Sequence, residues 1–286
     1  MKMIERIYIP TIRRADKQTT FENLPEGLQE RVIMVVEPGE RHLYNYPCDY
    51  LELPLDYVRN WCQLSLTRKF IHKHAGAIKY AVIDDDLTIK RRNSKYWTGK
   101  SNMETSRRDA THLEIWSAFH TFGKWLDEED IGIVGLSTGE APPADEEYVD
   151  TKGVFGMIFV DGRMLSKEID DMDITSIRIA EDVLFIFECL SRGINTRQST
   201  EWMYSNGSLK KDMQESRVVW TDMHKEQPKD HFQTDEHYQA LEYIHKKFPD
   251  GIKIYEKDGK RKNTKYWKKV YVPSQKTSLE SFFNAK

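Results

Sequence analysis

Three consecutive carboxylates, Asp84, Asp85 and Asp86, follow directly on the apolar run Tyr80-Ala81-Val82-Ile83. Like charges side by side cannot continue a pleated, half-buried strand, so the acids mark its C-terminal end. In an open α/β sheet that end is where ligands bind, and clustered carboxylates there call for a cation. A divalent metal carrying a phosphorylated ligand meets the demand. The plainer alternative is a solvated turn, because Asp tolerates turn geometry. A second acidic pair, Glu181-Asp182, opens an apolar segment that runs from Val183 to Leu190 and stops at Gly193. The free N–H groups and dipole of a helix start favour acids, so capping accounts for this pair as readily as chemistry does.

The elements that must position these acids read as follows. Ile4 to Pro10 alternates and then breaks at Pro10-Thr11 into a loop with Arg13 and Arg14, a first strand opening into a basic loop. Val32 to Val36 is a β-branched run closed by Glu37-Pro38-Gly39, and residues 50 to 54 form a shorter third strand. Continuous apolar strands separated by helix-length segments indicate a mostly parallel sheet covered on both faces. The spacing of Trp61, Leu64, Phe70, Ile71 and Ala75 predicts a helix over 59–75, ended by Gly76, and that of Leu113, Trp116, Phe119, Phe122 and Trp125 a second one with a core-facing aromatic stripe. Ile131 to Leu136 and Phe155 to Val160 are further strands. From Trp202 to about Asp235 the chain reads as polar and irregular, then as a helix to Phe248, and after Gly251 as a lysine-rich hairpin around Asp258-Gly259.

With 286 residues, 39% of them apolar, the chain can bury a large core and carry an appendage. We expect a main domain over 1–250, a basic, aromatic-containing extension over 251–272 and a flexible tail over 273–286. The net charge of −3 conceals an asymmetry: residues 126–150 hold nine acids and no Lys or Arg, whereas residues 246–272 hold ten bases against three acids. Such a split argues for a polyanionic partner at one end. Cys48, Cys62 and Cys189 lack any C-x-x-C spacing, so neither a disulfide framework nor a zinc cluster is expected. No leader-like or membrane-length apolar stretch is evident, which leads us to expect a soluble, cytoplasmic protein with no membrane partner.

The order of these pieces (a short first strand with a Thr/Arg loop, a second ending in Glu-Pro-Gly, a helix carrying Arg68, a strand ending in Asp84-Asp85-Asp86, and a later Glu181-Asp182 helix) resembles glycosyltransferases of the GT-A fold over roughly residues 4 to 195. More narrowly, it is similar to the TET-associated glycosyltransferases of tailed phages, which are related to the base J glucosyltransferase and act on hydroxymethylated pyrimidines in DNA. The resemblance implies a nucleotide-binding sheet, a UDP-sugar donor and Mn²⁺ or Mg²⁺. It implies that Thr11, Arg13 and Glu37 approach the donor's base and ribose, that Asp84 meets ribose or sugar, and that Asp85 belongs to the same motif. Asp86 would be the direct metal ligand beside Asp84, and Arg68 would neutralise phosphate or order the motif. Glu181 and Asp182 match the acidic pair on the acceptor side, with Asp182 as general base. A later histidine would complete the metal shell, either His224 or His231.

Double-stranded DNA as acceptor rests on charge placement. Residues 87–108 carry Lys90, Arg91, Arg92, Lys95, Lys100, Arg107 and Arg108 against Glu104 alone, beside Tyr96 and Trp97. The C-terminal region repeats the pattern with Lys260, Arg261, Lys262 and Lys265 near Trp267. Bases with aromatics suit phosphate contacts and stacking, and a paired base must be flipped out before its substituent can react. The last residues, with Leu279, Phe282 and Phe283, resemble sliding-clamp-binding peptides and would tether the enzyme to copied DNA. Two other readings stay open: a GT-A transferase acting on a surface or lipid-linked glycan, and a non-catalytic DNA-binding accessory protein. A nucleotidyltransferase is disfavoured, since no Gly-rich phosphate loop follows the first strand.

Overall fold

The computed structural model describes residues 3–57, 63–92, 107–138, 146–206, 235–257 and 260–267. Strand β1 (Arg6–Pro10) is followed by two short helices, α1 (Thr19–Asn23) and α2 (Glu26–Gln29), then by β2 (Val32–Val36) and β3 (Asp49–Glu52). Helix α3 (Gln63–Ala75) leads into β4 (Lys79–Ile83), from which the chain turns through the three acids into β5 (Leu87–Arg92) and later β6 (Arg107–Asp109). Next come α4 (His112–Trp125), β7 (Ile131–Thr138), β8 (Tyr148–Asp150), β9 (Met157–Asp161), α5 (Gly162–Leu165), α6 (Glu181–Ser191) and β10 (Asn195–Asn206). Helix α7 (Asp235–Lys247) and the hairpin β11 (Ile252–Lys257)–β12 (Lys260–Lys265) end the described chain.

The sheet runs β3-β2-β1-β4-β9-β7-β10-β5-β6, with β8 paired to β10. Its first half, β3 to β4, is parallel throughout. Strand β9 enters antiparallel between β4 and β7, β10 lies parallel to β7, and β5 returns antiparallel on β10. All five residues of β2 and of β4 are buried, as a sheet covered on both faces requires. Period-two alternation then splits each strand between two cores: Tyr80 and Val82 join the one under α3, α6 and α7, whereas Ala81 and Ile83 join the one under α1, α2 and α4. Helix α4 begins where Thr111 and Glu114 close a capping box. This is the expected α/β sheet flanked by helices.

Two stretches differ from expectation. Residues 87–92, read as the start of a basic DNA-facing segment, form a sheet strand in which Leu87 and Ile89 are buried while Thr88 and residues 90–92 are half-buried; two apolar positions beside basic neighbours were too few to betray the alternation. Residues 202–206, read as irregular, continue β10, which shifts register on β7 between Ser199 and Met203 and pairs with β5 on its other side from Trp202 onward. The hairpin packs on the same core as the sheet. Ile252 is 1% exposed, the Tyr266 amide donates to the Gly251 carbonyl at 2.8 Å, and Trp267 stacks on Phe187 of α6 with centroids 4.6 Å apart.

One core residue makes stability depend on pH. His72 of α3 is 1% exposed, stacks on Phe185 at 4.7 Å and shares a 2.7 Å hydrogen bond with the Tyr80 hydroxyl. Burial, aided by the charge of Arg68, pushes its pKa down to about 3. The folded chain therefore holds it neutral while the unfolded chain takes up a proton near 6.5, so stability is intact above that value and falls as pH drops toward 3. At ~1.4 kcal/mol per pH unit, about 2 kcal/mol should be gone at pH 5. Urea midpoints at pH 7.5 and 5 for the wild type and His72→Phe check this: the pH-dependent loss should shrink in the variant, and an unchanged loss would clear His72 of responsibility.

Candidate functional site

The three acids at the end of β4 are given different surroundings by the turn they form. The Asp84 amide donates to the carbonyl of Gly156 at 3.0 Å, which fixes where the turn starts. Asp85 is 8% exposed and accepts from the Thr11 hydroxyl at 2.8 Å and from Arg14 Nη1 at 2.5 Å. Thr11 in turn accepts from Gln18 Nε2 at 2.8 Å. Thr11 and Asp85, expected beside the donor, are thus occupied with each other and tie the β1 loop to the acidic turn. The order within the site depends on that tie, because it pins the loop that carries Arg13. Asp86 is left half-buried, with Arg14 Nη1 3.5 Å from its Oδ2.

Asp84 is turned toward Arg68 of α3, whose Nη2 lies 3.6 Å from Asp84 Oδ1 and whose Nη1 lies 3.0 Å from Glu181 Oε1. One guanidinium therefore joins the end of β4 to the first turn of α6, a bidentate role that its planar fork suits. Burial works against its charge, yet the carboxylates of Glu181, Asp84 and Asp182 hold its pKa above the ordinary arginine value. Burial pushes the Glu181 carboxyl well up, with Arg68 opposing and Asp182 adding repulsion. Burial and the neighbouring acids likewise raise Asp84, to about 6, although Arg68 pulls the other way. Its side chain is 38% exposed, so water screens the repulsion there more than at Glu181. Asp182 is half-buried and accepts from the Val183 amide at 2.7 Å through Oδ1.

Ala180, immediately before the pair, is held in the left-handed region at φ 61°, a conformation that costs an L-residue roughly 1–2 kcal/mol. The Ser65 hydroxyl donates to the Ile177 carbonyl at 3.0 Å, so α3 anchors the approach to α6 on a second side. Three carboxylates, Asp84, Glu181 and Asp182, share Arg68, and the surplus negative charge suits a cation.

Sequence reasoning missed three contributors. Tyr204, near the end of β10, is close enough to Asp84 and Asp182 for burial and their charges to push its hydroxyl up to about 12. Gly156, at φ 67°, holds a backbone conformation strained for other residues, and a Cβ there would press on the Tyr204 ring and hydroxyl at 3.0 Å. His237, in the first turns of α7, is 8% exposed, and burial and Lys265 depress its pKa while Asp182 opposes. The glycine following Phe155 was the one available signal; Tyr204 and His237 had none.

The remaining expected residues scatter. Arg13 is exposed, and Glu37, 7% exposed, sits at the end of β2. Arg91 is engaged by Glu114 at 2.9 Å and by Glu201, and Arg92 Nε donates to the Thr200 carbonyl at 2.5 Å. Trp267, expected to stack on DNA bases, instead has a ring face covered by Phe187. Lys260 and Arg261 belong to β12, where Lys262 is exposed and Lys265 half-buried. Lys95, Trp97, His224, His231, Leu279, Phe282 and Phe283 lie outside the described residues.

Among the described residues no three His, Cys, Asp or Glu side chains are arranged to enclose an ion. Asp84 and Asp86 still fit a hard cation of the Mg²⁺ or Mn²⁺ kind, which is commonly held by one or two carboxylates, with substrate phosphates and water supplying the rest of its shell. No helix among the described residues is long and apolar enough to cross a membrane.

Residues 5–214 match the family described as TET-associated glycosyltransferase. No curated protein matches the chain. Among solved structures, Staphylococcus aureus TarS (residues 1–349) is similar at 13% identity and TM-score 0.41, over 86% of this chain and 72% of that one. A Bacillus anthracis protein described as a glucose-1-phosphate thymidylyltransferase is similar at 9% identity and TM-score 0.35, over 76% and 95%. Likenesses this remote bear on neither residues nor substrate.

Proposed function

The chain belongs to the TET-associated glycosyltransferase family, and from that premise we propose that it moves a sugar from a nucleotide-sugar, UDP-sugar in the first instance, onto a hydroxymethylated pyrimidine in double-stranded DNA. The observation that carries the site assignment is the convergence of a strand-end acid, Asp84, and a helix-start pair, Glu181-Asp182, on one buried arginine. Asp84 and Asp86 would hold a divalent cation, which when bound stabilises negative charge on the departing diphosphate.

The chain's own residues divide the remaining work. Arg68 holds the two acidic elements at a fixed separation, so that donor and acceptor meet in one geometry. Asp182 accepts the proton of the hydroxymethyl group as its oxygen bonds to the anomeric carbon and the bond from that carbon to the diphosphate breaks. The Val183 amide donates to this carboxylate and so fixes its orientation at the helix start, as a positioned base requires. Glu181, whose carboxylate is engaged by Arg68 Nη1 at 3.0 Å, serves to orient that arginine. The basic hairpin and the segment after β5 supply phosphate contacts, the C-terminal peptide docks on a sliding clamp, and the protein works in the cytoplasm.

One observation favours a glycan acceptor instead: Arg91 and Arg108 are both engaged by Glu114 and are less available to DNA phosphates. The test covers both. Incubation with Mn²⁺, a panel of nucleotide sugars and either hydroxymethylated DNA or a glycan acceptor, followed by digestion and mass spectrometry, should add a sugar increment to the nucleoside. An increment on the glycan alone would discard DNA as substrate, and no increment with any donor would discard the donor class.

A further inference from the structure

A half-buried ammonium without an ion-pair partner is costly, and chains normally pair or expose it. Lys247 shows the usual solution, with Asp173 at 2.8 Å and Glu188 at 2.5 Å. Lys265, at the end of β12, does not. Its side chain is half-buried, its Nζ makes a long 3.4 Å bond to Asn263 Oδ1, and it forms no ion pair among the described residues.

The lysine is held firmly where it is. The next two residues anchor it: Tyr266 through its amide to the Gly251 carbonyl, at 2.8 Å, and Trp267 through its stack on Phe187. Phe187 belongs to α6, the helix that begins with Glu181 and Asp182. The contact is tight enough that a Cβ on Gly251 would lie 2.7 Å from the Phe187 ring, and one on Gly153 would lie 2.6 Å from the Trp267 ring. The hairpin is therefore keyed to the helix that carries the general base, and Lys265 lies close enough to Asp182 and His237 for their charges to influence one another. Residues 235–267 fall beyond the stretch matched to the family, which ends at 214.

We propose that Lys265 is a phosphate-binding residue of the transfer site, presented by the hairpin beside the acidic turn of α6 to take a phosphate oxygen of a substrate. The proposal rests on the transferase reading above. Two substrates carry that group, the donor's diphosphate and the DNA backbone, and in either case the ammonium would supply the charge-assisted contact that no protein carboxylate makes. It would also offset the repulsion between the incoming phosphate and Asp182.

The test uses the full chain with Mn²⁺, as wild type, Lys265→Met and Lys265→Arg. UDP is titrated by calorimetry, hydroxymethylated duplex DNA is titrated at two salt concentrations, and thermal midpoints are recorded. Loss of one charge-assisted contact should weaken one ligand about tenfold in Lys265→Met, with Lys265→Arg recovering most of it. The thermal midpoint should hold or rise, because no ion pair is lost. Weakening of UDP alone assigns the donor's diphosphate, and weakening of DNA alone assigns the acceptor. A Lys265→Met chain that binds both ligands like the wild type overturns the proposal, and so does one that loses several degrees of thermal midpoint together with both ligands, which would mark a structural lysine. The wild-type titrations separate this failure from that of the broader reading: a wild type that binds neither UDP nor DNA overturns both.

Discussion

Arg68→Met should destabilise the folded chain by about 3–5 kcal/mol at pH 8, the cost of leaving buried carboxylate charge without its partner, and by far less at pH 5. Arg68 is 18% exposed in its side chain and Glu181 9%, so water cannot replace the lost guanidinium at Glu181. The sign follows from linkage. Unfolded, Glu181 titrates near 4.3; folded, its pKa is already raised by burial and climbs further once the arginine is gone. A group raised in the folded state leaves stability whole below its unfolded pKa and removes it as pH rises through the folded one. The difference in urea midpoint with and without Arg68→Met, measured at pH 5 and 8 in the His72→Phe background, isolates this from the His72 effect, which the Arg68 charge itself influences. A penalty equal at both pH values would mean that lost packing and not charge accounts for it, and no penalty at pH 8 would mean the bridge contributes nothing.

Asp182→Asn should lower kcat for sugar transfer by roughly 10²–10⁴, the usual contribution of a positioned general base, with little change in thermal midpoint. The amide oxygen can still accept from the Val183 N–H, so a structural account predicts near-normal activity. Glu181→Gln distinguishes the two members of the pair. It keeps a hydrogen-bonding group toward Arg68, so its effect should fall mainly on stability and KM. If Asp182→Asn retained wild-type kcat while Glu181→Gln lost it, the assignment of the base would have to be exchanged.

The two acidic motifs were legible for the same reason. Charge that interrupts an apolar run can occupy few places in a fold, and the end of a buried strand and the start of a helix are two of them. Strands β2 and β4 and helix α4 were equally plain, because burial on both faces or along one stripe writes a continuous or periodic apolar pattern. Strand β5 escaped because its basic residues, Lys90, Arg91 and Arg92, read as a ligand surface. The sheet instead pairs Lys90 with Asp109 and sets Arg91 between Glu114 and Glu201, partners that are distant in sequence or carry no pattern of their own.

Residue types and their local order determined on their own that this chain would build a mostly parallel sheet with a cluster of acids at the end of a buried strand. Local charge repulsion and apolar periodicity act between neighbours, and neighbours are what a sequence displays. Tertiary structure alone decided which acid does what. Asp85 is taken by Thr11 and Arg14, Asp84 is turned to Arg68, and Tyr204, His237 and Lys265 arrive from the far end of the chain. Those outcomes depend on which elements pack against α6, and packing between distant segments leaves no trace in the spacing of either one.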